Sequence, residues 1–290
     1  MFALILSVPS MYAQSGHSSR STNVEGSILS VVVKRTDGKK DQVKASDLFL
    51  YENALEQKIL NFSYDPSPSR ILILVDNSQT IPIEIADMKE AIMDFAYEIF
   101  DGDQIYVIAY DEKPEIIQEW TDDADSLSKS LETLRKQGNP RLFDAMETSI
   151  EEVLAPLMPG TRKTAVVVIG DGLDRGSGSS YEKMISHLQN LNISVYALSV
   201  RDRTGGAYRR NSPKPAEVIK GLTTDTGGAS FDFADAKTAA KTICDELRQN
   251  RYLLTYNPTN TSSYDARRLF IVPEKGIELR YKSHQPPNIK

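Results

Sequence analysis

Two stretches of this chain are apolar without interruption: Ile71 to Val75 (ILILV) and Thr164 to Ile169 (TAVVVI). A strand with one wet face alternates apolar and polar residues. A run with no alternation is buried on both faces, which is the condition of a parallel sheet covered by helices. Helical patterns stand between and around these runs. Ile85, Met88, Ile92, Phe95 and Ile99 step by three and four, as do Leu127, Leu131 and Leu134, and Met184, Ile185, Leu188 and Leu191. Further strands are expected at Ile105 to Tyr110, Glu115 to Trp120, Ile193 to Val200 and Ala229 to Phe233. Helices are expected from about Arg141 to Leu154, in the stretch ending at Leu222, and up to about Asn250. Thr121 is a candidate cap for the helix carrying Leu127, and Ser179 with Glu182 forms a capping-box pattern. Strand and helix in alternation give a doubly wound, mostly parallel α/β sheet.

The ends of the chain read differently. Ile28 to Lys34, Leu48 to Tyr51 and Lys58 to Phe62 are strand-like with no helix between them, and so are Tyr252 to Tyr256, Leu269 to Val272 and Ile277 to Tyr281. The simplest assembly is one small β-sandwich-like unit made by both ends, with the α/β domain inserted in it. The expected division is 1–19 leader and spacer, 20–69 β segment, 70–250 α/β domain and 251–290 β segment.

At the start, Phe2 to Val8 is an apolar run too short to span a bilayer, followed by Pro9 and small residues around Ala13. That is the shape of a signal peptide, although the usual positive n-region is missing. The expected location is secreted, periplasmic or cell-surface, with no membrane span in the mature chain. A net charge of −6 argues against a nucleic-acid partner. A single cysteine, Cys244, rules out an internal disulfide and a cysteine zinc site. The histidines, His17, His187 and His284, are scattered along the chain.

Ligands of an open parallel sheet bind beyond the carboxyl ends of its strands. Two acidic loops fall there. Ile71 to Val75 runs into Asp76-Asn77-Ser78-Gln79-Thr80, and Thr164 to Ile169 runs into Gly170-Asp171-Gly172-Leu173-Asp174. Alternation lets Asp76, Ser78 and Thr80 face one point, and Asp171 adds a second carboxylate. Such a hard, oxygen-rich set suits Mg²⁺, Mn²⁺ or Ca²⁺.

ILILVDNSQT resembles the D-x-S-x-S strand-loop of the von Willebrand factor A domain, with Thr80 at the last hydroxyl position. VVVIGDGLD is similar to that family's strand ending in a D-G pair. The resemblance covers about residues 70 to 250. It extends to the bacterial VWFA-related group through VVVKRTDGKKDQVKASDLFLYENALEQKILNF before the domain and YLLTYNPTN after it. The resemblance implies a metal-dependent adhesion site of Asp76, Ser78, Thr80 and Asp171, on which a bound divalent ion is completed by an acidic side chain of a protein partner. The family's further threonine ligand falls at Pro140, which has no side-chain donor, so the site is degenerate. Asn139 is a substitute ligand if the loop is shifted, and the simpler reading makes Asn139 the helix cap with Pro140 at the first helical position.

Two other loops carry candidate chemistry. Gly176-Ser177-Gly178-Ser179 precedes a helix and has the composition of a phosphate cradle, but it lacks the P-loop lysine, which favours a flexible loop ending in a cap. The stretch Arg201 to Lys214 holds five basic residues, with Arg201, Arg203, Arg209 and Arg210 as candidate partner-binding groups on the same rim. The expected function is a protein-binding adhesion module, not an enzyme. The rival readings are a metal-free scaffold and a metal-assisted hydrolase, the latter needing a general base near Asp76.

Overall fold

The structure, a computed structural model, describes residues 26–205, 213–259 and 265–287. The leader segment, Arg209 and Arg210 lie outside the described residues. In chain order the amino-terminal part forms strands β1 (Ser27–Arg35), β2 (Leu48–Glu52), β3 (Leu55–Gln57) and β4 (Ile59–Tyr64). The α/β part follows with β5 (Ser69–Asp76), α1 (Ile85–Glu98), β6 (Gln104–Tyr110), β7 (Pro114–Thr121), α2 (Ala124–Ser130), α3 (Leu142–Thr148), β8 (Lys163–Gly170), α4 (Tyr181–Asn190), β9 (Ser194–Ser199), α5 (Pro215–Thr226), β10 (Ser230–Asp232) and α6 (Ala236–Gln249). The carboxyl-terminal strands are β11 (Arg251–Tyr256), β12 (Arg267–Pro273), β13 (Ile277–Tyr281) and β14 (His284–Gln285).

The central sheet has six strands in the order β10-β9-β8-β5-β6-β7, parallel throughout except for the β6–β7 pair. The two apolar runs, β5 and β8, are its neighbouring middle strands, with Ile71 opposite Ala165 and Val75 opposite Ile169. Side chains alternate across a strand. Ile71, Ile73 and Val75 therefore pack under α1, α2 and α6, against Met88, Phe95, Leu127 and Ile243. Leu72 and Leu74 enter the opposite core with α3, α4 and α5, against Met146, Leu188 and Leu222. From β5 the chain winds to β6 and β7 on one side, then returns to β8, β9 and β10 on the other. That reversal opens a crevice at the carboxyl ends of β5 and β8, the position at which such sheets take ligands.

The chain ends do form a shared unit. One antiparallel sheet has the order β13-β1-β11-β4 and a second the order β14-β12-β2-β3, so each mixes strands from both ends. Leu29, Val31, Leu50, Leu254, Leu269 and Ile271 close a single core between them. Arg251 fastens this unit to the α/β sheet. It is buried and donates to Ser194 Oγ at 2.7 Å and Ser30 Oγ at 2.5 Å.

Local details differ from the sequence reading in places. The short strands β3 and β14 were not foreseen. The α2 cap is Asp123, which accepts from Asp125 N, while Thr121 Oγ1 accepts from Asp123 N. Ser180 rather than Ser179 caps α4, accepting from Lys183 N at 3.2 Å. α3 begins after Arg141, so Asn139 is not its cap, and beyond Thr148 it widens into a π-type stretch, Ser149–Leu154. Among the described residues, no helix is long and apolar enough to cross a membrane.

Candidate functional site

β5 ends in Asp76 and the chain turns there, because Asp76 Oδ1 accepts the backbone N–H of Ser78 at 2.9 Å. The same short-range device turns the loop after β8, where Asp171 Oδ1 accepts from Leu173 N at 3.0 Å. Asp76, Ser78 and Asp171 are buried, and Thr80 stands at the exposed edge. A third loop supports the first: Gln79 N donates to Gly138 O at 3.2 Å, Gln137 N to Asn77 O at 3.0 Å, and Asn77 Nδ2 to Arg135 O at 3.0 Å. Gly170 leaves room behind the site. A Cβ there would lie 3.2 Å from both Asp76 Cβ and the Tyr110 hydroxyl. Burial, and then the charges of Asp76 and Asp171, push that hydroxyl well above the usual tyrosine range, so it stays neutral.

The four residues assigned to a metal do converge, and they converge on Arg203. Its Nε donates to Asp171 Oδ2 at 2.8 Å. Its Nη1 donates to Ser78 Oγ at 2.6 Å and Thr80 Oγ1 at 3.1 Å. Its Nη2 donates to Asp171 Oδ1 at 2.9 Å and also to Asp76 Oδ2. A guanidinium has five N–H donors, and these contacts use all five. The Arg203 side chain is 5% exposed, and those of Asp76 and Asp171 are fully buried. Burial alone would lower the Arg203 pKa. The hydrogen bonds to Asp171 and the charges of Asp76 and Asp171 outweigh it and hold the guanidinium more firmly charged than usual. Burial raises the Asp76 carboxyl above its ordinary value, opposed by the charge of Arg203 and by hydrogen bonds from Ser78. A carboxylate this deep needs a countercharge, and Arg203 supplies it.

This arrangement bears on the ion that the resemblance implies. A divalent cation would sit about 2.0 to 2.6 Å from its oxygens, in the space that the guanidinium fills, and the two positive charges would repel. The donor set has the right chemistry for a hard cation. With Arg203 seated on it, these residues do not fit a metal ion.

The other predicted residues are placed as follows. Asn139 is outside the cluster, with its Nδ2 3.4 Å from Glu112 Oε1. Pro140 contributes only its carbonyl, which accepts from Arg175 N at 2.7 Å. Arg201 is exposed on the rim. Arg203, expected to face a partner, is turned inward. The loop of Gly176 to Ser179 is no phosphate cradle, because Asp144 already fills it. The N–H groups of Gly178 and Ser179 donate to the Asp144 carboxylate at 3.0 and 2.8 Å. Burial would raise that carboxyl, and the bonds from Ser179 and Gly178 outweigh it and hold it below its ordinary value. Asp174 answers from the other side, accepting from Phe143 N at 3.1 Å.

A second charged group was missed in sequence. Glu147 is buried, and it meets Lys183 Nζ at 3.1 Å and His187 Nδ1 at 3.0 Å, with Glu151 3.3 Å from Lys183. The available signal was the spacing of four in both pairs, Glu147 with Glu151 and Lys183 with His187, which places each pair on one helix face.

Comparison with known proteins agrees with the fold. Residues 71–246 match the von Willebrand factor type A domain, which is more than half of the chain. No curated protein sequence matches. Among solved structures, a von Willebrand factor type A protein from Catenulispora acidiphila is similar over 89% of this chain and 72% of its own, at 11% identity and a TM-score of 0.51. An aerotolerance-related membrane protein from Bacteroides fragilis, carrying multiple mutations to serines, is similar over 62% of this chain and 99% of its own, at 18% identity and a TM-score of 0.49. BatB, a conserved hypothetical protein from Bacteroides thetaiotaomicron, is similar over 62% and 97%, at 19% identity and a TM-score of 0.47. At 11% identity the likeness to the Catenulispora protein speaks to the fold alone. The matched residues take in β8, β5 from Ile71 onward and both acidic loops, and the chain belongs to the von Willebrand factor type A domain family.

Proposed function

We propose that this protein is an interaction module whose partner, a protein presenting acidic side chains, docks on the carboxyl-end rim of the central sheet beside the loop that follows β9. Domains of this family are generally interaction modules. The observation that carries the reading is the anchoring of that loop by Arg203 to residues of two separate β-strand loops. That anchoring fixes the described start of the loop, Arg201 to Gly205, before a partner arrives, and less ordering entropy is lost there on docking. The seated guanidinium has no N–H left for a partner carboxylate. The acidic groups of the partner are met instead by the other basic residues of the loop, Arg201 at its exposed start and, by sequence, Arg209 and Arg210. Such charges act mainly on the rate of encounter and make it fall with salt. An exported or cell-surface setting suits that role and accords with the apolar run Phe2 to Val8 and the small residues after it.

The hydrolase alternative finds no support at the rim. The two described histidines are engaged elsewhere, His187 with Glu147 and His284 with Ser283. The interaction reading is tested with a photo-crosslinking residue placed at Arg201, and in a second protein at Thr161, an exposed position at the amino end of the same sheet. The expected outcome is a discrete, salt-sensitive crosslinked species from position 201 and none from 161. Equal crosslinking at both positions would remove the rim from the account.

A further inference from the structure

We infer that Arg203 is a built-in cation that takes the place of a divalent metal, so that the adhesion site of this chain is complete without one. The inference goes beyond the docking proposal and stands independently of it, because it concerns only the chain and an ion.

The geometry is specific. Asp76 ends β5, Ser78 and Thr80 come from the loop after it, Asp171 from the loop after β8, and Arg203 from the loop after β9. The three loops meet at the crevice where the sheet reverses its winding. The guanidinium reaches all four oxygen-bearing residues at once, and Arg203 N adds a further contact with Asp171 Oδ2 at 3.3 Å. Two carboxylates against one guanidinium leave the site with one formal negative charge. A divalent ion would have cancelled it, at the cost of expelling the arginine. A planar fork bound to carboxylates on two sides is hard to displace, since each of its five donors would need a new acceptor. A water-filled metal site would also keep an open coordination position for a partner, and this arrangement has none. The Pro140 position fits the same picture. A site whose cation is tethered has no need of the threonine ligand that the resemblance would place there.

The prediction is a metal site uncovered by one substitution. In Arg203→Ser the two carboxylates lose their countercharge and the space that the guanidinium filled is vacated, while all four oxygen donors stay in place. Manganese binding is measured on the full chain by calorimetry and by the loss of the free Mn²⁺ resonance signal. The parent is expected to give no saturable binding at millimolar Mn²⁺ or Mg²⁺. Arg203→Ser is expected to bind one Mn²⁺ at least about tenfold more tightly than the parent, and the added ion should raise its melting midpoint, as any ligand of the folded state does. Asp171→Asn in the Arg203→Ser background should abolish that binding. If Arg203→Ser folds only when Mn²⁺ is present, the inference is supported. Should it not fold at all, Arg203→Lys carries the test. A lysine keeps the charge but has only three donors, so Mn²⁺ should compete with it where it does not compete with arginine. Saturable Mn²⁺ binding by the parent, equal to that of the variants, would overturn the inference. So would a folded Arg203→Ser protein that ignores the ion.

Discussion

Arg203 shows how one side chain can decide the character of a site. Its partners lie up to 127 residues away in sequence, and nothing local to Arg201-Asp202-Arg203 distinguishes an arginine that turns inward from one that faces solvent. The oxygen set was legible, because Asp76, Ser78, Thr80 and Asp171 follow apolar strands that fix where they point. The occupant was not, because it arrives on a loop with no periodicity to place it. Lys282 poses a similar problem of burial with a measurable consequence. It is 3% exposed and donates from Nζ to Gln189 O at 2.7 Å. Burial, and then the nearby charge of Arg267, lower its pKa to about 7. The unfolded chain keeps that proton up to about 10.4, so between these values the unfolded state binds more protons and stability rises with pH. The cost of the buried charge is therefore fully present below pH about 7 and is relieved above it. Lys282→Met is expected to raise stability at pH 6 by on the order of a few kcal/mol, less about 1 kcal/mol for the acceptor left at Gln189 O. The gain should shrink steadily between pH 7 and 10. Urea unfolding at several pH values measures this, and a gain that is the same at every pH would show that Lys282 is not the titrating group.

At the scale of elements, the strands were the most readable part and the caps the least. An uninterrupted apolar run is unambiguous over its length, and β5 and β8 emerged as the paired middle strands. Caps shifted by a residue or two, because Ser179 and Ser180, like Thr121 and Asp123, all carry side-chain acceptors and the periodicity does not fix which of them immediately precedes the first helical residue. β3 and β14 are too short to show a period at all. The D-G pair after β8 has a physical reason that appears only when helices are in place. Gly172 has φ +83°, and a Cβ there would lie 2.4 Å from the carbonyl oxygen of Pro215, at the start of α5. That contact is with backbone and cannot be relieved by a rotamer change. Gly172→Ala is expected to cost at least about 1–3 kcal/mol from the left-handed conformation alone, with the clash added, and to loosen the loop that aims Asp171. Thermal denaturation checks the stability loss. Hydrogen exchange at the Leu173 amide, bonded to Asp171, reports the loop, and unchanged protection there would mean that α5 simply gives way.

The whole molecule joins two layers of organisation. The sandwich draws each of its sheets from both chain ends, as the β-only flanks suggested, and it is fastened to the α/β sheet by Arg251. The winding order of that sheet then places its crevice between the two strands that carry Asp76 and Asp171. Architecture thus brings two carboxylates together in a buried place, and some cation must answer them. The chain answers with its own arginine, Arg203. The most direct measurement is a crystal structure of the parent grown or soaked in MnCl₂, with anomalous data collected at the manganese edge. The expected result is the Arg203 guanidinium among Asp76, Ser78, Thr80 and Asp171, with no anomalous peak there. A manganese peak between Asp76 and Asp171, with Arg203 swung out to solvent, would contradict it.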